Sequence, residues 1–207
     1  YCTSMAFVLM TALRNAGDEA SNAQADEFSF LEPNQMSSDQ LTIINALPLY
    51  LVDDILTMLL FAAKTRPDLL SSPSMSDVLG MIIFFLRRPN CIQSPHIKAK
   101  FSEVLFQVFL PNKERDAGPY NERYINKRYP DGIHASMLDN DVLSQKYLAP
   151  ALLLLYGDVE RTGEYEKINH RRRIMVLLNY LWSVSAHRPA FRGIAQGDAD
   201  ASIATVS

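Results

Sequence analysis

The 207-residue sequence is short of the residues that most often build sites: it has 8 Gly, 4 His and 2 Cys. Two thiols, Cys2 and Cys91, are too few for a disulfide framework or a zinc site, and a reducing compartment is the matching expectation. No Gly-rich phosphate loop is present, because Gly157 and Gly163 read as helix punctuation. Strand-like alternation of polar and apolar residues nowhere survives over five residues, which excludes a sheet-based reading. The longest apolar stretch, 46–63, carries Asp53 and Asp54 at its centre, and such charges argue against a membrane span. The first thirteen residues are apolar but lack a basic leader and a cleavage site, so no signal peptide is expected. The chain reads as soluble and intracellular.

What is present favours helices. Hydrophobic residues make up 48% and aromatics 10%, ample for a core in one or two domains and unlike a disordered chain. There are 26 Leu against 10 Val and 13 Ile, a helical bias. The net charge of -3, with a pI near 5.8, gives no overall attraction to nucleic acid or anionic lipid. Its distribution is uneven. Residues 1–60 hold eight acids (Asp18, Glu19, Asp26, Glu27, Glu32, Asp39, Asp53, Asp54) and one base, Arg14, hence -7. The remaining nineteen bases and fifteen acids give +4.

Residues 1–36 read as the end of a helix, around 4–14, followed by a polar linker closed by Pro33. The chain opens without Met and closes on a soft tail, 196–207, so a piece of a longer protein is expected. Helical repeats are expected over 37–110. Ser37 and Gln40 form a capping-box pattern, and Pro48 should kink or split the helix that follows. Leu51, Ile55, Met58, Leu59 and Ala62 keep helical spacing up to Lys64, Arg66 and the stop at Pro67. Ser74 and Asp77 open a helix that is apolar nearly all round from Val78 to Leu86 and ends at Arg87-Arg88-Pro89. Ser94-Pro95 opens the next, with Ile97, Phe101, Val104, Leu105 and Val108 on one stripe and Pro111 as its stop.

Residues 111–140 lack an apolar period and read as a long insertion or loop, which a short helix around Tyr120–Arg128 would shorten. Helical repeats resume over 141–195. Asp141–Tyr156 contains Pro150, and Glu164–Val184 carries Ile174, Leu177, Leu178, Leu181 and Val184 on one side. A short helix around Pro189–Ile194 follows. Helix starts near 48, 95 and 141 are 47 and 46 residues apart, at the upper end of the armadillo and HEAT range. The expected fold is all-α, a stack of armadillo/HEAT-like helical repeats.

The chemistry-bearing residues do not assemble into a motif. His96, His134, His170 and His187 lack an HExxH pattern or paired thiols, and read as surface or helix-end residues. Cys91 and His96 lack an orienting third group, so a stray thiol is the better reading. Asp53 and Asp54 are adjacent on a helix and point apart, which disfavours a shared acid–base role. Lys167, His170, Arg171, Arg172 and Arg173 fan around a helix, with Glu160, Glu164 and Glu166 near enough to neutralise part of the cluster. Tyr120-Asn121-Glu122-Arg123-Tyr124 and Lys127-Arg128-Tyr129 interleave bases and aromatics, but Glu114, Asp116 and Glu122 accompany them. A lid or docking loop is the expectation there. No catalytic, cofactor-binding or metal residues are expected, and no cofactor.

Six stretches carry a family resemblance. Leu148-Ala149-Pro150-Ala151-Leu152-Leu153-Leu154-Leu155-Tyr156-Gly157-Asp158-Val159-Glu160-Arg161-Thr162-Gly163 resembles the hallmark segment of the ubiquitin-chain elongation factor core, the part of certain U-box ubiquitin ligases that precedes the U-box. Tyr165-Glu166-Lys167-Ile168-Asn169-His170-Arg171 continues that resemblance, with Glu166 and Ile168 as conservative departures. Leu177-Leu178-Asn179-Tyr180-Leu181-Trp182 and Arg188-Pro189-Ala190-Phe191-Arg192 fit its Leu-Trp and short-helix pattern. Upstream, Pro95-His96-Ile97-Lys98-Ala99-Lys100-Phe101-Ser102-Glu103-Val104-Leu105-Phe106 and Leu47-Pro48-Leu49-Tyr50-Leu51-Val52-Asp53-Asp54-Ile55 are similar to two further elements of that core.

The resemblance implies a helical platform that binds an AAA+ segregase and ubiquitin-delivery proteins, in the cytoplasm and nucleus. A ubiquitin-conjugating enzyme would be met only through a U-box, which these residues do not contain; neither nucleic acid nor membrane is an expected partner. Whether the chain is itself a ligase stays open on this reading, since U-box ligases hold the reactive thioester on the conjugating enzyme. The competing reading is an armadillo- or HEAT-like protein-interaction adaptor unrelated to ubiquitin.

Overall fold

The structure, a computed structural model, describes residues 2–18, 37–70, 72–88, 90–111, 133–159 and 164–196, the side chains of 14, 16–18, 133–135 and 164–166 excepted. Every regular element among them is helical. The elements are α1 (Cys2–Asp18), α2 (Ser38–Ala46), α3 (Leu49–Thr65), α4 (Met75–Arg87), α5 (Pro95–Val104), α6 (Ile133–Asn140), α7 (Ala149–Asp158), α8 (Glu164–Ser183) and α9 (Arg188–Gln196). Short 3₁₀ turns occupy Pro67–Leu70 and Ser185–His187. The proposed helix at Tyr120–Arg128, most of the polar linker and nearly all of the tail lie outside the described residues.

Local chemistry sets the breaks. Ser37 and Gln40 form the reciprocal capping box: the Gln40 amide N–H donates to Ser37 Oγ, and the Ser37 N–H donates to Gln40 Oε1, each at 3.1 Å. The Gln40 side chain also donates from Nε2 to the Leu13 carbonyl at 2.8 Å, so one buried residue starts α2 and ties it to α1. Pro48 splits the next stretch into α2 and α3, which meet at 70°. Pro95 occupies the first turn of α5, where a missing N–H costs nothing. Two helical entries and exits widen into π turns, Leu105–Phe109 after α5 and Ser144–Leu148 before α7. Pro150 accounts for the second: it cannot donate to the Lys146 carbonyl, and its ring crowds that turn.

The helices fall into two interleaved rows. α1 packs on α4 and α4 on α7; α3 packs on α5 and α5 on α8. α5 and α7 also touch, as do α7 and α8, while α9 lies against α7 and α8. α4 is buried along its whole length from Val78 to Arg87, as an element covered on all sides must be. Gly80 lets α1 approach it closely: a Cβ there would meet Met10 Cε at 3.2 Å. Phe85 of α4 stacks on Phe101 of α5 with ring centroids 6.2 Å apart. The α5 stripe Ile97, Phe101, Val104, Leu105 and Val108 and the α8 residues Ile174, Leu177, Leu178 and Leu181 are buried as expected.

One element gains a direction and one expectation needs correction. The helix read from the spacing of Leu51, Ile55, Met58, Leu59 and Ala62 is present as α3; it buries Val52, Ile55, Leu56, Leu59, Leu60 and Ala63, and Met58 is exposed. α3 is apolar on several sides, so periodicity left the direction to be chosen by the bend at Pro48. Residues 111–140 are also not all loop, because α6 occupies Ile133–Asn140. Its period was too short to read, yet it packs against both π turns.

No single helix among the described residues is long and apolar enough to cross a membrane; the bent pair α2–α3 reaches that length and composition only together.

Candidate functional site

The three charged residues that follow His96 on α5, Lys98, Lys100 and Glu103, are spread around the helix axis by their spacing. Each reaches a different neighbour. Lys98 Nζ lies 2.6 Å from Asp158 Oδ2 at the end of α7. Lys100 Nζ lies 2.6 Å from Asp53 Oδ1 of α3, and donates to Thr57 Oγ1 at 3.1 Å. Glu103 Oε2 faces Arg173 of α8 at 3.7 Å, while its Oε1 accepts from Gln107 Nε2 at 2.9 Å. All six charged partners are largely withdrawn from solvent without being fully buried. Such pairs keep much of their attraction and escape the full desolvation cost of a deep ion pair.

α5 is therefore a hub joining both rows. The pairs connect four of the stretches singled out in the sequence: Pro48–Ile55, Pro95–Phe106, Leu148–Gly163 and the helix that carries Tyr165–Arg171. None of the three pairs was anticipated. The available signal was two lysines flanking Ala99 in a helix otherwise packed on most sides, which calls for acids on the facing helices.

The chemistry-bearing residues sort as follows. Asp53 turns to Lys100 and Asp54 is exposed, so the two carboxylates do part company. The arginine run fans as expected: Arg171 lies over the Tyr156 ring at 4.8 Å, and Arg173 turns to Glu103. The side chains of Glu160, Glu164 and Glu166 lie outside the described residues, as do His134 and the Tyr120–Tyr129 segment. Cys91 is half-buried, and desolvation raises its thiol above the ordinary range against the opposing charge of Arg88. That is the reverse of what activates a nucleophile. Cys2 is raised too, again chiefly by burial. His96 is exposed and His170 half-buried. Among the described residues, no group of three or more His, Cys, Asp or Glu could hold a metal ion.

His187 departs from the surface or helix-end reading in its burial. It is fully buried, and its Nε2 lies 2.9 Å from the Leu138 carbonyl of α6. Burial lowers its pKa, opposed by the Leu138 hydrogen bond and by Asp139. The neutral ring with Nε2–H donating fits this setting. Beside it, Tyr180 of α8 donates from its hydroxyl to Asp139 Oδ1 at 2.7 Å, and Gln145 Nε2 donates to the Asp139 carbonyl at 2.6 Å. These bonds pin the short α6. Arg87 and Arg88 stand at the helix end read from the sequence and are 4% exposed each. Their guanidinium groups lie 5.1 Å from the Tyr147 ring centroid and 4.2 Å from that of Phe84.

This arrangement can hold helices in register and present surfaces; its polar groups are mostly spent on one another. Comparison with known proteins supplies the rest. The family model for the ubiquitin elongating factor core matches residues 1–203. A protein of Arabidopsis thaliana named "Probable ubiquitin conjugation factor E4" is 31% identical over 158 residues, covering 74% of this chain and 14% of its own length. "Ubiquitin conjugation factor E4 A" of Bos taurus is 26% identical over 204 residues, 93% of this chain and 17% of its own. "E4 ubiquitin-protein ligase UFD2" of Saccharomyces cerevisiae is 26% identical over 141 residues, 65% of this chain and 13% of its own. The chain thus spans about one-sixth or less of the length of these relatives. No solved structure matches it. The match over nearly every residue, with relatives that share a place in ubiquitin conjugation, removes the reading of an adaptor unrelated to ubiquitin. The chain belongs to the ubiquitin elongating factor core family.

Proposed function

We propose that this chain is one stretch of the scaffold core of a ubiquitin-chain-elongating U-box ligase, built as armadillo/HEAT-like stacked repeats. It holds partner proteins close to a U-box carried elsewhere in the polypeptide. The partners are an AAA+ segregase and ubiquitin-delivery factors, met in the cytoplasm and nucleus. The observation that carries the reading is the hub at α5, where Lys98, Lys100 and Glu103 lock three helices from family-like stretches to one another. Polar residues devoted to mutual registry are what a platform needs. The two-row order, in which each helix packs on the preceding member of its own row, supports stacking of successive units.

The test is chain elongation on a singly ubiquitinated substrate with purified activating and conjugating enzymes, using the longer protein that carries this chain. Removing residues 37–196 should abolish elongation while leaving the U-box able to discharge the charged conjugating enzyme. Elongation that survives the deletion would sink the scaffold role. Retention of the segregase by the intact protein, and its loss on deletion, is the expected pull-down result for the partner claim; retention that is unchanged by the deletion would remove the segregase from this segment.

A further inference from the structure

Ile168, Met175 and Trp182 recur every seven residues along α8, and they remain 66%, 53% and 53% exposed. Ile174, Leu177, Leu178 and Leu181 on the other side of the same helix are buried. A seven-residue spacing drifts by only about 20° per repeat, so the three exposed side chains form one stripe roughly 21 Å long. Its end is built. The Trp182 ring meets Phe191 of α9 edge-on, with centroids 5.4 Å apart, and Arg188 Nε donates to the Trp182 carbonyl at 3.2 Å.

Cations dominate the sequence from Lys167 onward, after Glu164 and Glu166 at the start of the helix. Residues 167–196 contain six Lys or Arg (Lys167, Arg171, Arg172, Arg173, Arg188, Arg192) and no Asp or Glu. Arg171 and Arg173 turn to Tyr156 and Glu103. Arg188 and Arg192 are exposed beside Trp182 and Phe191, and Lys167 and Arg172 flank the stripe on α8.

We propose that this face of α8, edged by the arginines of α9, is the docking surface for an acidic amphipathic helix of a partner protein. The proposal rests on the scaffold reading and names the chemistry of one occupant. An apolar residue at each heptad of the partner would enter the row formed by Ile168, Met175 and Trp182. Acids on either side of that seam would meet the cations. A second copy of this chain fits poorly, because two-fold pairing on this face sets its cationic edge against itself. A bilayer surface fits less well than a helix, since the stripe is one residue wide and Asn169 and Asn179 are also exposed on α8.

The test uses a fluorescent synthetic peptide of about three heptads, with Leu at the two seam positions and Glu and Ala elsewhere. Its control is the same peptide with every Glu replaced by Lys. Anisotropy should report binding of the Glu peptide to the 207-residue chain that weakens as salt rises, and no binding of the Lys peptide. Met175→Glu, and separately Arg188→Glu with Arg192→Glu, should each weaken it by about tenfold or more with the helical circular dichroism unchanged. Equal affinity for both peptides, or indifference to Met175→Glu, would overturn the proposal. So would sedimentation with phosphatidylserine vesicles that Met175→Glu abolishes, which would assign the face to a membrane. A concentration-dependent dimer dissolved by Met175→Glu would assign it to a second copy. Peptide binding that disappears in the longer protein would show neighbouring chain on this face. Chain elongation separates the two readings: lost peptide binding with elongation still dependent on 37–196 removes only the docking face, while intact peptide binding with elongation indifferent to that deletion removes only the scaffold role.

Discussion

At the scale of single residues, two buried polar side chains do more than their sequence context announces. Gln40 was legible as half of a capping box from Ser37 and its own spacing. Its second bond, to the Leu13 carbonyl, was not legible, because nothing local says which residue twenty-seven positions earlier will lie overhead. Gln40→Leu should lower stability by about 1–3 kcal/mol in urea unfolding, more than an exposed cap would cost. His187 gives a pH dependence. Its folded pKa is lowered by burial, whereas the unfolded chain takes up a proton near the ordinary value of 6.5. Its neutral form is therefore compatible with full stability above that value, and stability declines as pH falls through and below it toward the depressed folded pKa. Asp141, whose pKa is raised chiefly by burial, works in the opposite sense at the more acid end. The difference in stability between the wild-type chain and His187→Phe should narrow or change sign as pH drops from 8 to 5 (about the range where histidine titrates). A difference that stays flat would place His187 elsewhere.

At the scale of elements, the apolar patterns of α4, α5 and α8 were readable because each contains a long, clean run. α3 and α6 were not: α3 is apolar on too many sides, and α6 has eight residues, hardly two turns. The ion pairs escaped for a related reason, since the positions of Lys98 and Asp158 become neighbours only once α5 and α7 are packed. Lys98→Met and Asp158→Asn should each cost about 1–3 kcal/mol, and a double-mutant cycle should return a coupling of roughly 1 kcal/mol. Zero coupling would mean that the pair is incidental. Phe101, fully buried and stacked on Phe85, carries the apolar side of the same helix. Phe101→Ala should cost about 3–5 kcal/mol, visible as a lower urea midpoint.

At the scale of the whole molecule, the family resemblance reached further than periodicity. Helix starts 47 and 46 residues apart suggested stacked units; the structure bears out the all-helical class among the described residues, and the repeat stack belongs to the proposed reading. On the scaffold proposal the uneven charge acquires a physical sense: side chains are spent on registry at α5, and the apolar stripe of α8 is the face proposed for a partner. The most direct measurement is chain elongation by the longer protein bearing Lys98→Glu, then Lys98→Glu with Asp158→Lys, beside a Cys2→Ser, Cys91→Ser variant. The scaffold account predicts a large loss for the single reversal, substantial recovery for the double reversal, and no change without the two thiols. Loss of elongation on removing the thiols, with no effect of the charge reversals, would contradict it.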